Sequence, residues 1–169
     1  MFNIKTGNQI ISNIDNYNLK ARLAAVKALN KTALWLKSQA AKEISREKQI
    51  KLNVIRKRLR VFKAKTSRLD VLIRANLYGI RAASIGKMKQ TRKGTKVGKH
   101  QFTGAFMAVM PRGSRGVYKR KGRTALPIEE VKLPLEPEAS RIIESLVNYE
   151  VERIFEEYFS RELNYIMKI

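Results

Sequence analysis

Cysteine is absent from the 169-residue chain, and histidine occurs once, as His100. The lack of cysteine excludes disulfides, iron–sulfur clusters, thiolate zinc sites and cysteine nucleophiles. A single histidine excludes a histidine-rich metal site unless subunits share it. No apolar run approaches the roughly 18 residues that a membrane-spanning helix needs, and residues 1–7 lack the pattern of a signal peptide. We therefore expect a protein that stays in the cytosol unless something carries it out, without a cofactor, a metal or a membrane partner.

Acidic residues are also scarce, and they are concentrated at one end of the chain. The protein has 36 Lys and Arg against 14 Asp and Glu, a formal net charge of +22. Residues 1–128 hold 31 basic and four acidic residues, a local charge of +27, whereas residues 129–169 hold five basic and ten acidic residues, a local charge of −5. This imbalance indicates polyanionic partners. The two segments can attract each other between identical copies, although an acidic segment is equally typical of an exposed helix face.

Length and hydrophobic spacing predict one domain, residues 1–169, built on long helices. Asp15 and Asn16 are good N-cap residues for a helix that runs to about Lys48. This helix has two faces fit for packing, and Trp35 on the second face suits either packing within the protomer or contact with another subunit. A short basic helix is expected from Ile50 to Arg60. After Pro137, a broad apolar stripe that includes Phe155 and Phe159 predicts a helix with more than one neighbour.

The middle of the chain has the two-residue alternation of β-strands. Strands are predicted at Arg60–Lys65, Leu69–Leu77, Phe102–Met110, Val117–Lys121 and Leu126–Leu133. Residues Gly86–Lys99 contain six basic residues, three glycines and no acid, and we predict a flexible basic loop there. The expected fold class is α+β: a small antiparallel sheet of about four to five strands, packed with long N- and C-terminal helices and one short basic helix.

Few residues are suited to catalysis. Glu130-Val131-Lys132 on a predicted strand, with Asp70 on an earlier one, resembles the core of a metal-dependent nuclease, in which carboxylates hold Mg²⁺ and a lysine positions water. However, an E-x-K triplet occurs by chance in lysine-rich chains, and the helical crossover expected between the two strands is missing. His100 is most simply a polar residue at a loop–strand boundary. We therefore expect no catalytic site and no metal site, and we expect the protein not to be an enzyme.

Binding chemistry is better supported, because basic clusters can contact phosphates as point charges or through bidentate guanidinium groups. No stacking platform or recognition-helix signature accompanies them, so nucleic acid would be contacted at its backbone, without sequence preference. An acidic protein neighbour is the alternative partner. Beside a cluster at Arg56–Lys65, the candidate contact residues are Lys87, Lys89, Arg92, Lys93, Lys96, Lys99, Arg112, Arg115, Lys119, Arg120, Lys121 and Arg123.

Several segments together resemble the prophage minor tail protein Z family of long-tailed phages. The resemblance extends in order over roughly residues 19–158, and each motif alone is only moderately specific. The motifs are Ala28-Leu29-Asn30-Lys31-Thr32-Ala33 with Trp35, Ile55-Arg56-Lys57-Arg58-Leu59, Arg112-Gly113 before a basic stretch, and Leu126-Pro127-Ile128-Glu129-Glu130-Val131-Lys132-Leu133-Pro134.

The resemblance implies a structural tail completion protein of the virion, assembled in the host cytoplasm. It would form a ring, a hexamer by the tail symmetry of the family, at the head-proximal end of the tail, and make the tail competent for head joining and DNA passage. Its neighbours would be tail terminator or tube proteins and neck proteins, and phage DNA is a further candidate. Because the apolar faces of the helices exceed what one small sheet covers, Trp35, Phe155 and Phe159 are candidate subunit-interface residues.

Two other functions stay open from the sequence. The first is a cellular protein that binds nucleic acid without sequence preference, such as an RNA-binding or ribosome-associated factor. The second is the metal-dependent nuclease.

Overall fold

The computed structural model describes residues 2–4, 19–111, 113 and 115–167. The helices in this part of the chain are α1 (Leu19–Glu47), α2 (Leu52–Arg56), α3 (Glu138–Tyr149) and α4 (Val151–Met167), with a 3₁₀ turn at Ala82–Ser84. The strands are β1 (Phe2–Ile4), β2 (Leu59–Phe62), β3 (Val71–Ala75), β4 (Ile80–Arg81), β5 (Met88–Thr91), β6 (Gly94–Val97), β7 (His100–Thr103), β8 (Ala105–Val109), β9 (Arg115–Arg120), β10 (Ile128–Glu130) and β11 (Lys132–Leu133). The predicted α+β class is confirmed.

Helix α1 forms because its sequence is rich in alanine and leucine and contains neither glycine nor proline. It ends in a Schellman motif. Gln49 has a φ of 49°, its N–H donates to the Arg46 carbonyl, and the N–H of Ile50 donates to the Ser45 carbonyl at 3.1 Å. The predicted end near Lys48 is thus confirmed, whereas the predicted N-cap residues Asp15 and Asn16 lie outside the described residues.

The strands of the described residues are divided among small antiparallel sheets instead of forming one sheet. Their orders are β1-β3-β2, β8-β9-β10, β5-β6-β7 and the pair β11-β4. The predicted strand Phe102–Met110 is broken at Gly104, whose φ of 71° forms the turn between β7 and β8. The predicted strand Leu126–Leu133 is also two strands, because Val131 between them donates to the Val117 carbonyl and accepts from the N–H of Ala82, each at 2.9 Å.

The prediction of a flexible loop at Gly86–Lys99 is wrong. The segment is a β-hairpin of β5 and β6, and β7 adds a third strand. Glycines at the turns account for this, since Gly94 and Gly98 have φ values of 138° and 60° and reverse the chain where other residues are strained. The side chains that contact β8 include the polar residues Gln90, which is exposed, and Thr95, which is buried, so an apolar alternation is absent although the strands are present.

The helical predictions also need two corrections. The short helix predicted from Ile50 to Arg60 spans only Leu52–Arg56, because Leu59 and Arg60 begin strand β2 and pair with β3. The C-terminal helix is two helices, α3 and α4, which meet at Glu150 with a φ of −117°. The C-terminal acidic segment therefore contains strands β10 and β11 before its helices.

Helix α1 occupies the centre of the fold, with sheet β1-β3-β2 on one side and α4 on the other. Leu36 and Ala40 face Leu59, Ile73 and Ala75 of the sheet. Ala24 and Ala28 are fully buried, and at 100° per residue they lie within about 60° of Lys31, which contacts α4 through Glu162. Among the described helices, none is both long enough and apolar enough to cross a membrane.

Trp35 is half-buried and packs against the core, so it does contribute to packing within the protomer. Phe155, with 1% of its surface exposed, is a core residue. Its ring lies stacked on that of Phe159, with centroids 5.8 Å apart and planes 10° apart. Phe155 was predicted to lie at a subunit interface, and this is corrected because the fold of the protomer itself covers its ring. Burial of the side chain stabilises the protomer by about 2–3 kcal/mol. Phe159 is half-buried.

Candidate polyanion-binding surface

The β5–β6 hairpin presents six basic side chains to solvent. Lys89 and Lys96 lie directly opposite each other on the outer face of the two strands. Arg92 and Lys93 form the turn between the strands, and the remaining two, Lys87 and Lys99, stand before β5 and after β6. All six are exposed. The structure thus gathers the six candidates of this segment on one small element.

Hydrogen bonds between side chains and backbone hold this hairpin against strand β8. The Gln90 amide donates to the Ala105 carbonyl at 3.2 Å and accepts from the N–H of Met107 at 3.1 Å. The fully buried Thr95 hydroxyl lies 3.1 Å from both the Ala105 carbonyl and the Gln90 side-chain oxygen. Since these groups fix both strands, the basic side chains stand on a rigid support.

The electrostatics of the hairpin are unfavourable in the protomer alone. Like charges directly opposite each other on antiparallel strands destabilise the pairing, as at Lys89 and Lys96. Within the described part of the chain, none of the six basic side chains forms an ion pair. The surface therefore suits an anionic partner from outside the protomer, which would relieve this repulsion.

Strand β9 adds a second basic cluster, and the two clusters meet at Gly104. The N–H of Gly104 donates to the Lys93 carbonyl in the hairpin turn at 3.0 Å. On its other side, the Cε atom of Lys119 lies 3.7 Å from the position that a β-carbon of Gly104 would take. The structure therefore joins β9 to the hairpin as one basic surface, which we call the hairpin surface: Lys87, Lys89, Arg92, Lys93, Lys96, Lys99 and Lys119.

The other predicted contact residues lie along and after β9. Arg115, Arg120 and Arg123 are exposed, and the guanidinium of Arg120 stands 5.9 Å from the centroid of the Phe106 ring. Lys121 is 3.4 Å from a Glu129 carboxylate oxygen, so its charge is partly compensated. Arg112 lies outside the described residues.

The two carboxylates of the nuclease alternative, Glu130 and Asp70, form ion pairs with arginines. Glu130 forms a 3.1 Å ion pair with Arg81, and Asp70 forms a 2.6 Å ion pair with Arg68. Glu130 and Lys132 belong to different strands, β10 and β11. Among the described residues, no three His, Asp or Glu side chains gather as a metal site. The predicted place of His100 is confirmed, since it is the first residue of β7.

A second basic surface was only partly visible in the sequence. Arg60 of β2 lies directly opposite Arg74 of β3, and both are exposed. Next to them, the Phe62 side chain is 45% exposed, and the Arg74 guanidinium stands 5.3 Å from its ring centroid. Arg74 is isolated among apolar residues and so belongs to no basic run. Only its place on the outward-facing side of strand β3, where inward and outward residues alternate, could have indicated that Arg74 belongs to a basic surface.

Besides the pairs of Glu129 with Lys121 and of Glu130 with Arg81, the acidic C-terminal segment contacts the basic body within the protomer through two carboxylates of its helical part. Glu162 is 8% exposed and accepts a hydrogen bond from Lys31, with Lys27 3.7 Å away. The hydrogen bond from Lys31 lowers the pKa of Glu162, and the positive charges of both lysines add to the effect. At the other end of α1, Lys48 lies 2.6 Å from Glu138, and this hydrogen bond lowers the pKa of the Glu138 carboxyl.

Lysines of the hairpin surface can bind phosphate or carboxylate groups as point charges, and Arg92 can form a bidentate pair. These groups suit a backbone or an acidic protein surface, and they carry no means of reading bases.

Comparison with known proteins identifies the lineage of the chain. A model of the family described as prophage minor tail protein Z matches residues 4–169. The tail completion protein of Escherichia phage N15 is 26% identical over 139 residues, which cover 75% of this chain and 76% of that protein. No solved structure matches. Since the family model extends over nearly the whole chain, the resemblance found in the sequence is confirmed, and the chain belongs to the prophage minor tail protein Z family.

Proposed function

We propose that this protein completes the phage tail by forming a ring at its head-proximal end, where it prepares the tail for head joining and DNA passage. A tail protein with a tail completion role follows from the family. We propose in addition the ring, neighbours such as tail terminator, tube and neck proteins, and DNA as a partner. Six copies would match the symmetry of the tail. Trp35 and Phe159, both half-buried, would contribute apolar contacts between subunits.

The observation that carries this proposal is the hairpin surface. It is rigidly supported, and the β5–β6 hairpin lacks carboxylate partners in the described chain. Six copies in a ring would bring six such surfaces together, and their mutual repulsion would require a counter-charge. A DNA duplex in the channel supplies this charge at any rotation about its axis, because only phosphates are contacted. Carboxylates of a neighbouring ring are the alternative counter-charge.

Two measurements test the proposal. Reconstruction of assembled tails should show six copies at the head-proximal end, and a single copy there would overturn the ring. The second test replaces Lys89, Arg92, Lys93 and Lys96 by Gln. If DNA is the partner, affinity for unrelated duplexes should fall uniformly, and the salt dependence of binding should flatten.

A matched variant controls for net charge. Gln at the exposed residues Lys42, Arg46, Lys51 and Arg141 removes the same number of charges from other elements. It should leave the salt dependence of DNA binding nearly unchanged. Unchanged DNA binding by the hairpin variant, together with rings that fail to join the tail, would assign the surface to an acidic protein neighbour instead.

A further inference from the structure

The outer face of sheet β1-β3-β2 is a second surface that suits an anionic partner, and it is formed by other residues than the hairpin surface. Arg60 and Arg74 oppose each other across β2 and β3, so both side chains point to the face turned away from α1. Within the described residues, neither forms an ion pair. The exposed ring of Phe62 lies beside them. We call Arg60, Phe62 and Arg74 the sheet face.

The sheet face continues into a shallow groove that is mostly cationic. Lys63 and Lys65 line it, together with Leu72 and the Arg68–Asp70 pair. The only carboxylate among these lining residues is therefore already neutralised. A partner that fits this surface needs at least two carboxylates or phosphates near an apolar group.

Helix α4 carries the complementary chemistry. Glu152, Glu156, Phe159 and Leu163 follow one another at spacings of four, three and four residues, so they form one stripe along the helix. Both glutamates are exposed, and Phe159 and Leu163 are half-buried. In the described structure, the ion pairs on α4 use Glu157 and Glu162, together with Glu150 before the helix, and leave Glu152 and Glu156 without one. The stripe is thus two unpaired carboxylates beside an aromatic edge.

The two surfaces lie on different sides of the protomer. Lys27 and Lys31 of α1 meet α4 through Glu162, whereas Leu36 and Ala40 meet the sheet. At 100° per residue, Lys31 and Leu36 point about 140° apart around α1. Because α4 and the sheet pack on these separated sides, the stripe of one copy cannot fold back onto its own sheet face.

We propose that the sheet face docks on the Glu152–Leu163 stripe of a second copy of this chain. This inference depends on the proposed ring and names its subunit contact. Each copy would use two different surfaces, and such a heterologous contact can close into a ring when repeated. Glu152 and Glu156 would pair with Arg60 and Arg74, and Phe159 would lie against Phe62. The hairpin surface would stay free for its own partner.

A charge exchange between the two surfaces tests the contact. Arg60→Glu/Arg74→Glu and Glu152→Arg/Glu156→Arg should each abolish incorporation of the protein into tails, because like charges would then face each other. The chain with all four changes should regain incorporation, since the pairs are restored in reverse. Circular dichroism and thermal melting establish that each variant is folded. If folded double variants assemble normally, or if the four changes do not restore assembly, the contact is wrong.

Cysteine cross-linking gives a second, independent measurement on a chain that has no cysteine of its own. In oxidised tails, Arg74→Cys/Glu156→Cys should give a ladder of covalent oligomers, whereas either single variant can give dimers at most. The matched control is Arg74→Cys with Glu43→Cys, an exposed residue of α1, which should give no ladder.

The two proposals fail in different ways. If a reconstruction of the tails shows a ring but the cysteine pair at Arg74 and Glu156 gives no ladder, the docking contact is wrong and the ring still stands. Tails without a ring would overturn the proposed function itself. If the sheet face bound nucleic acid instead, the Arg60/Arg74 reversal would lower DNA affinity and the Glu152/Glu156 reversal would not impair assembly.

Discussion

The side chain of Asn30 satisfies both backbone groups of Ala64. Its Nδ2 donates to the Ala64 carbonyl at 3.2 Å, and its Oδ1 accepts from the Ala64 N–H at 2.8 Å. This pair fastens the chain after β2 to the middle of α1. Beside it, the Thr32 hydroxyl donates to the Ala28 carbonyl at 2.9 Å, and Lys31 binds Glu162. Two residues of the α1 motif that carries the family resemblance, Asn30 and Lys31, therefore connect α1 to the segment after β2 and to α4.

Asn30→Ala should destabilise the protein by about 1–3 kcal/mol, because both partly buried backbone groups of Ala64 lose their partner. Urea unfolding at neutral pH measures the change. Asn53→Ala, at an exposed position of α2, is the control and should stay within about 0.5 kcal/mol of the wild type. Equal effects of the two variants would contradict the role of the Asn30–Ala64 pair.

Glu162→Gln should destabilise the protein at pH 7 by about 1–3 kcal/mol, since it removes a charged acceptor from between Lys27 and Lys31. The pKa of Glu162 is lowered in the folded state, so its contribution is fully present above the ordinary glutamate pKa of about 4.3. It is lost as the pH falls through the lower folded value. The difference between wild type and variant should therefore shrink on acidification.

Urea unfolding between pH 7 and pH 3 measures this difference. Glu157→Gln supplies the control on the same helix, because Glu157 forms an exposed pair with Arg161 and should contribute only about 0.3–0.5 kcal/mol. A difference between wild type and Glu162→Gln that does not change with pH would show that the carboxylate charge is unimportant there.

Helices and apolar strands were predictable because their periodicity comes from burial. Leu36, Ala40 and Ile44 recur on one side of α1 and are buried, and the alternation of Val71 and Ile73 correctly predicts β3. The hairpin was not predictable in this way. The side chains of Gln90 and Thr95, which hydrogen-bond to β8, are polar, and of the two only Thr95 is buried. Burial of Thr95 becomes favourable only once the carbonyl of Ala105 arrives from β8.

The composition of the basic surfaces could be read from the sequence, but their arrangement could not. The basic run Lys87–Lys99 is visible in the sequence. That Lys119 lies next to this run is not, because their proximity depends on the turn at Gly104. Arg74 came next to Arg60 only through the register of β2 and β3. Contacts across 14 or more residues of separation follow from strand pairing, which no local pattern fixes.

Gly94→Ala should destabilise the hairpin by about 2–4 kcal/mol. The φ of Gly94 is 138°, and a β-carbon there would overlap the Phe102 carbonyl oxygen and lie 2.8 Å from the nitrogen of Gly104. Gly122→Ala is the matched control, because no atom lies within 4 Å of its β-carbon position. Urea unfolding and exchange of the amide protons of β5–β7 measure both, and wild-type protection in Gly94→Ala would contradict the strain.

Lys89→Glu should stabilise the isolated protein while impairing its function. It replaces a like-charged pair with Lys96 by an opposite pair, a change worth about 0.5–1 kcal/mol across antiparallel strands. The gain should fade at 1 M salt, where the Debye length is only about 3 Å. The same charge change at Lys42, an exposed residue of α1, controls for the general relief of a charge of +22. Urea unfolding at two salt concentrations, beside a complementation assay for infectious particles, measures both effects. If Lys89→Glu is no more stable than Lys42→Glu at low salt, the pair is not strained. If it is more stable and still supports infection, the repulsion between Lys89 and Lys96 is not maintained for an anionic partner.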